Sequence, residues 1–285
     1  MRQMNAFGKK ALTGLALAAS VFSCGVAYAA AGGTIADIKA RGQLTVGTEA
    51  AYEPYEFVQN DKIVGYGKDI LDYMVKKLGV KLNQLNQPFQ GLLPGVLARK
   101  FDFVATSVGI TKARAAKVAF TEPVGEVRSV LVVKKDNGAI KNDSDIVGKI
   151  VGTQMGSLAQ PAIEDYNKEL KKEGKKGYAD LKLFQSYPDV SVALLNGTID
   201  VGVLPSNVLT LEMKQKPDAY RIVGEVGERR LLAWVTNPKD PEIRAFINDT
   251  LNEMRANGTL AKLQEKWFGQ TMDLPTKDYL PAGAL

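Results

Sequence analysis

Beyond the first thirty residues, short apolar runs alternate with segments whose apolar positions recur every three or four residues. "QLTVGT" (43–48) reads as a strand. In "GKDILDYMVKKLG" (67–79), Ile70, Met74 and Leu78 stand at i, i+4 and i+8 on one helical face, and Gly79 supplies the stop. "KLNQLN" (81–86) is a second strand, "LLPGVLARK" (92–100) a turn or two of helix, and "FDFVATS" (101–107) a third strand. This β-α-β-α-β order predicts a parallel sheet with crossover helices. "VRSVLVVKK" (127–135) carries the chain onward as a β-rich segment.

"KIVGTQ" (149–154) begins a second series. Ser157 with Gln160 makes a capping box ahead of the helix "AIEDYNKELKK" (162–172), which closes at Gly174. "LKLFQS" (181–186), the helix "DVSVALLNG" (189–197) and "IDVGVL" (199–204) follow, then the strand "RRLLAWVT" (229–236). A long helix is predicted from about Pro241 through 258, and a shorter one over 260–269. The two series echo each other. "LARKFDFVATS" and "LNGTIDVGVLPS" both run from a helix end through a four-residue turn to an Asp, Asp102 or Asp200, and then a strand. Two similar α/β lobes are implied. Ligands of open α/β sheets bind beyond the carboxyl ends of the strands, so facing lobes would form a cleft.

The start of the chain changes this picture only by being set aside. Arg2, Lys9 and Lys10 precede "ALTGLALAASVF", an apolar run too short to span a bilayer, and "AYA" ends at Ala29. Residues 1–29 read as a secretory signal peptide, with cleavage after Ala29. A membrane anchor is one alternative. Cys24 after "VFS" offers a lipoprotein anchor as another, although Phe22 is bulky for that purpose. Cys24 is the only cysteine, so the cleaved chain would hold neither disulfide nor thiolate metal site. The chain has no histidine, which excludes Ser-His-Asp and Cys-His catalysis. The formal charge of +6 falls to +3 without the three leader cations, and the remaining basic residues are scattered. Nucleic-acid binding is not expected, nor is any metal or cofactor.

"ATSVGITKAR" (105–114) is the candidate for binding chemistry. A guanidinium such as that of Arg114 grips a carboxylate through paired charge-assisted hydrogen bonds. Thr106 and Ser107 offer hydroxyl and backbone donors at a strand end, and Thr111 can cap a helix whose N-terminus favours an anion.

Five segments, taken in order, carry a resemblance. They are "GTEAAYEPYEF" (47–57), "GYGKDI" (65–70), "FQGLLPGVLARKFDFVATSVGITKARAAKVAFTEPV" (89–124), "GTQMGSLAQ" (152–160) and "GTLAKLQEKWFG" (258–269). Across nearly the whole chain after the leader, the sequence resembles the periplasmic solute-binding proteins of ABC importers, polar amino-acid type (solute-binding protein family 3). The resemblance implies the two-lobed periplasmic binding protein fold (type II), α/β, with two parallel-rich sheets joined by two hinge strands. Residues 30–130 and 231–285 would form a discontinuous first lobe and 131–230 the second, with "VLVVKK" (130–135) and "ERRLLAW" (228–234) as hinges. It also implies a periplasmic monomer that delivers an amino acid or amino-acid-like carboxylate to an inner-membrane permease. An enzyme on the same architecture, similar to cyclohexadienyl dehydratase, and a ligand-sensing module are the alternatives.

The same resemblance implies roles for single residues. The segment holding Thr106, Ser107, Gly109 and Arg114 would clamp an α-carboxylate. Relatives often carry Ser or Thr where this chain has Gly109, so room for another ligand group or a water is expected there. Tyr52 would stack on the ligand, Glu49 would read a cationic or donating group, and Phe89 with Gln90 would border the cleft. From the other lobe, Gln154, Gly156, Ser157 and Leu158 would complete the carboxylate contacts on closure. One departure is large. Polar amino-acid binders carry an Asp, paired with the ligand ammonium, where this chain has Pro205 followed by Ser206 and Asn207. The expected ligand is therefore a carboxylate lacking a standard α-amine, or one whose amine is read elsewhere, for instance by Glu49.

Overall fold

A computed structural model describes residues 33–285; the expected leader and Cys24 lie outside the described residues. In chain order the elements are α1 (Ile35–Ala40), β1 (Gln43–Thr48), β2 (Ala51–Tyr52), β3 (Glu56–Gln59), β4 (Lys62–Val64), α2 (Tyr66–Leu78), β5 (Lys81–Asn86), α3 (Phe89–Leu97), β6 (Phe103–Gly109), α4 (Lys112–Ala115) and β7 (Ala119–Lys134). Then come β8 (Ile150–Gln154), α5 (Ala159–Lys172), β9 (Asp180–Phe184), α6 (Tyr187–Leu195), β10 (Val201–Pro205), α7 (Ser206–Gln215), β11 (Tyr220–Thr236), α8 (Pro241–Ala256) and α9 (Thr259–Phe268).

Two parallel units form as the patterning predicts. β5, β1 and β6 pair in parallel in one, and β10, β8 and β9 in the other. They are not separate sheets. The long strands β7 and β11, antiparallel to each other, stand between them and join everything into one eight-stranded sheet of order β5-β1-β6-β11-β7-β10-β8-β9. β6 pairs with β11 over Leu232–Thr236, while β10 pairs with β7 over Ser129–Val132. The β7–β11 register breaks between Val226 and Arg230, opposite Ser129 and Val127. The crossing between units thus lies at 127–129 and 227–230. Of the expected hinge over 130–135, Val130–Val132 are buried and pair with β10.

The echo of Asp102 and Asp200 is a repeated device. Each precedes a strand, donates its N–H to the neighbouring parallel strand, and takes an N–H of the same residue on its carboxylate. Asp102 does this with Thr45 (2.8 Å to Oδ2) and Asp200 with Ile150 (2.8 Å to Oδ2). Asp102 is fully buried and also ion-paired to Arg41.

Several elements depart from the expectation. α3 begins at Phe89 and ends at Leu97, with Pro94 inside. The β2–β3–β4 ribbon and α7 were not predicted. The ribbon's strands are only two to four residues long, too short for alternation to show. The core runs beneath both units. Trp234 of β11 and Phe103 of β6, both buried, stack with centroids 5.6 Å apart.

Candidate functional site

The carboxyl end of β6 meets the carboxyl end of β8 across a narrow gap. On the β6 side, Thr106 is fully buried, and its hydroxyl accepts the Glu49 N–H at 2.6 Å. It faces the backbone rather than the gap. Ser107 lies against Glu56, its N–H and hydroxyl each 3.4 Å from a carboxylate oxygen. Thr111 is extended and accepts the Arg114 N–H at 3.2 Å, which makes it the expected cap. The helix it caps, α4, has four residues, so its dipole is that of a single turn.

The Arg114 side chain turns back into the gap. Its guanidinium donates to the Gly109 carbonyl at 2.8 Å and crosses to the Gly156 carbonyl at 2.7 Å. It lies 5.5 Å from the Phe89 ring centroid. Part of the residue stays open to solvent, yet burial of the guanidinium lowers its pKa to about 10. Among the described residues no carboxylate lies within ion-pair distance of it. A desolvated cation is thus held by two neutral carbonyls.

On the β8 side, Gln154 donates to the Glu49 carboxylate across the gap and to the Gln185 carbonyl at 3.0 Å. Gly156 has φ +73°, the left-handed turn that aims its carbonyl at Arg114. The capping box is displaced by one residue. Ser157 Oγ accepts the Gln160 N–H at 3.3 Å, but Gln160 reaches back to the N–H of Gly156, not of Ser157, and the helix starts at Ala159. Gln90 donates to the Met155 carbonyl at 3.0 Å, closing the rim.

Leu158 decides what Gly109 is for. A Cβ on Gly109 would sit closer to Leu158 Cγ, Cδ1 and Cδ2 than carbon atoms approach one another. The space expected to serve a ligand group or water is filled by this leucine from the opposite unit. The free volume left in the cavity is about 20 Å³, room for one water. Glu49, Tyr52, Phe89, Ser107, Gly109, Arg114, Gln154, Ser157, Leu158 and Pro205 all line it. Thr106 stands behind it, while Gln90 and Gly156 hold its rim.

Three features of the site were not foreseen. Tyr187 opens α6 at the cavity wall, 5.7 Å from the Tyr52 ring, and burial drives its phenol pKa far up. Its position just past the end of β9 was the available signal, since ligand contacts gather there. Ser129, at the crossing between units, is another lining residue. Glu56 is fully buried, and that burial, with a smaller contribution from Glu49, raises its pKa well above the usual range. Glu49 itself is 4% exposed, and burial pushes its carboxyl up to about 7 against the opposing hydrogen bond from Gln154. Pro205 brings no charge to the wall, as its sequence position implied. Beside it, the Tyr52 hydroxyl meets Asn207 Oδ1 at 3.5 Å.

The profile of the bacterial extracellular solute-binding proteins, family 3, matches residues 44–270. An L-cystine-binding protein of Bacillus subtilis, TcyA, is 30% identical over 82% of this chain and 84% of its own. The L-cystine-binding protein TcyJ of Escherichia coli is 29% identical over 92% and 96%. Among solved structures, an ancestral arginine-binding protein bound to arginine shares 35% identity at a TM-score of 0.71, over 80% of this chain and all but 1% of that one (99% covered). The ancestral amino acid-binding protein AncCDT-1, described as a precursor of cyclohexadienyl dehydratase, gives 29% identity and a TM-score of 0.72, over 82% and 98%. The chain belongs to the bacterial extracellular solute-binding proteins, family 3, and has their two-lobed α/β fold.

Proposed function

We propose that this family 3 solute-binding protein captures an amino acid, or a small carboxylate built like one, between its lobes and delivers it to the permease of an ABC importer. The lobes are residues 30–130 with 231–285, and residues 131–230. The protein acts in the periplasm as a monomer, without cofactor, metal or catalytic residue. The observation that carries this reading is Arg114, a desolvated guanidinium held by two carbonyls and no acid. A ligand carboxylate entering the open cleft supplies the missing charge through two parallel hydrogen bonds. Closure then brings Gly156, Ser157 and Leu158 over it, a hinge motion about the crossing strands. The relatives' named ligands, cystine and arginine, support an amino-acid ligand here.

The amine of such a ligand has no aspartate at position 205 to meet it. Glu49 takes that role: it faces the cavity and is poised near neutrality. An ammonium beside it draws off the proton and gains a carboxylate partner.

The test is a thermal-shift screen of amino acids, opines and plain carboxylates, followed by calorimetry on the hits. In Arg114→Ala, affinity for a carboxylate hit falls by at least about 100-fold, the loss expected when one partner of a desolvated charge pair is removed. Undiminished affinity refutes the clamp. The dehydratase reading has one observation behind it, a Glu49 carboxyl that still holds a proton near pH 7. Product formed from prephenate or arogenate would favour it.

A further inference from the structure

A second cavity lies on the hinge side of the molecule, separated from the cleft by Val127, which lines both. Its free volume is about 280 Å³. That exceeds the roughly 150 Å³ of an engineered cavity that holds benzene. Tyr55, Trp267 and Phe268 make one wall, with the Tyr55 and Phe268 rings 4.9 Å apart. The opposite wall is one face of α7 from Ser206 to Lys214, and both crossing strands contribute residues.

The polar lining is basic. Arg128, Lys214 and Arg229 face one acid, Glu126. Arg229 pairs with Glu126, and Arg128 with Glu225 at 3.0 Å. Lys214 has no carboxylate partner among the described residues. Asn207 also lines the cavity, and its buried Nδ2 has no hydrogen-bond partner. Its amide oxygen is occupied by the Tyr52 hydroxyl, so Nδ2 is the group left to donate. The α7 N-terminus opens here without a side-chain cap. An aromatic wall opposite a spare cation, with an orphaned amide donor buried just behind the surface, matches a flat apolar body that carries one anionic group.

We infer that the hinge-side cavity is a second binding site, for a small aromatic carboxylate, distinct from the interlobe cleft. Its ring packs against Trp267 and Phe268. Its carboxylate pairs with Lys214, and a turn of the Asn207 side chain brings the buried, unpartnered Nδ2 out to it. The occupant touches α9 of one lobe, α7 of the other and both crossing strands. It therefore bears directly on the hinge. This inference does not depend on what the cleft binds.

Benzoate is the probe. The chain has two tryptophans, Trp234 buried in the core and Trp267 in the cavity wall, so Trp267 emission reports occupancy and Trp267→Phe removes the response. Titration of the whole protein gives saturable quenching with a Kd on the order of 1 mM, the range for so few ligand atoms. Lys214→Glu and Asn207→Asp each weaken it at least about tenfold, since each sets a negative charge against the carboxylate. Arg114→Ala leaves it unchanged. No saturable response overturns the inference. So does a response that survives both cavity variants, or one lost in Arg114→Ala alone, which would place benzoate in the cleft. Failure of the amino-acid screen with benzoate binding intact would fault the cleft assignment and spare this one.

Discussion

Adding a methyl group at Gly109 should weaken ligand binding without unfolding the protein. Its Cβ would enter the space of three Leu158 carbons, and Leu158 belongs to the other lobe. The overlap exists only when the lobes are shut. Leu158 is half-buried and can shift in part, so the cost to the closed form is that of ordinary overpacking, about 1–3 kcal/mol. Affinity includes the free energy of closure, so that cost passes into Kd as a loss of roughly 5- to 150-fold. Removing the obstruction tests the cause: Leu158→Ala in the Gly109→Ala background should recover affinity to within about threefold of Leu158→Ala alone. The assay is calorimetry with a hit from the ligand screen, alongside melting of the free protein. Free-protein melting should be little changed, because opening the cleft relieves the overlap. Wild-type affinity in Gly109→Ala, or no relief from Leu158→Ala, would show that the bound form does not make this contact.

Ligand binding should also move protons through Glu49. Its folded pKa of about 7 falls when an ammonium comes alongside, so an amine-bearing ligand releases protons near pH 6–7 and binds more tightly as pH rises towards 8. A plain carboxylate should show the opposite slope, and calorimetry in buffers of different ionisation enthalpy separates the two. For stability the sign is fixed by the same shift. The folded state holds the proton that the unfolded state has lost above its ordinary 4.5, so this group's contribution declines as pH climbs from about 4.5 to 7. Glu49→Gln should flatten that decline in urea titrations; an unchanged slope would mean that Glu49 is not the group. The two strand-end aspartates should differ in weight. Asp102→Ala removes a fully buried carboxylate that holds both the Arg41 ion pair and the Thr45 N–H, and should cost about 3 kcal/mol. Asp200→Ala loses one bond at a half-buried site, about 1 kcal/mol. Equal losses in denaturant midpoint would contradict the difference in burial.

Much of the fold was legible because it is written locally. The face of α2, the extent of α8, the capping Thr111, the stops at Gly79 and Gly197, and the Asp102 and Asp200 repeat all rest on residues a few positions apart. β11 and α7 were harder. β11 runs from Tyr220, but as far as Val226 only every third residue is buried and Gly227–Arg230 are all exposed, so no period of two shows. α7 has only Val208 and Leu209 buried, too few for a helical stripe.

The site divides the same way. From sequence alone came the class of chemistry: an arginine after a strand end, an acid and a tyrosine after another, and a proline where a charge was expected. Only the folded chain decided which groups are free to use it. Thr106 is spent on the Glu49 backbone, Leu158 occupies the space over Gly109, and Tyr187 enters from a strand end more than seventy residues after Arg114. Glu49 sits near neutrality because of what surrounds it, not because of its neighbours in the chain. Helix faces and caps depend on contacts within a turn, which a sequence displays. Desolvation and steric exclusion depend on which atoms crowd a group in space, and those atoms come from residues far apart along the chain.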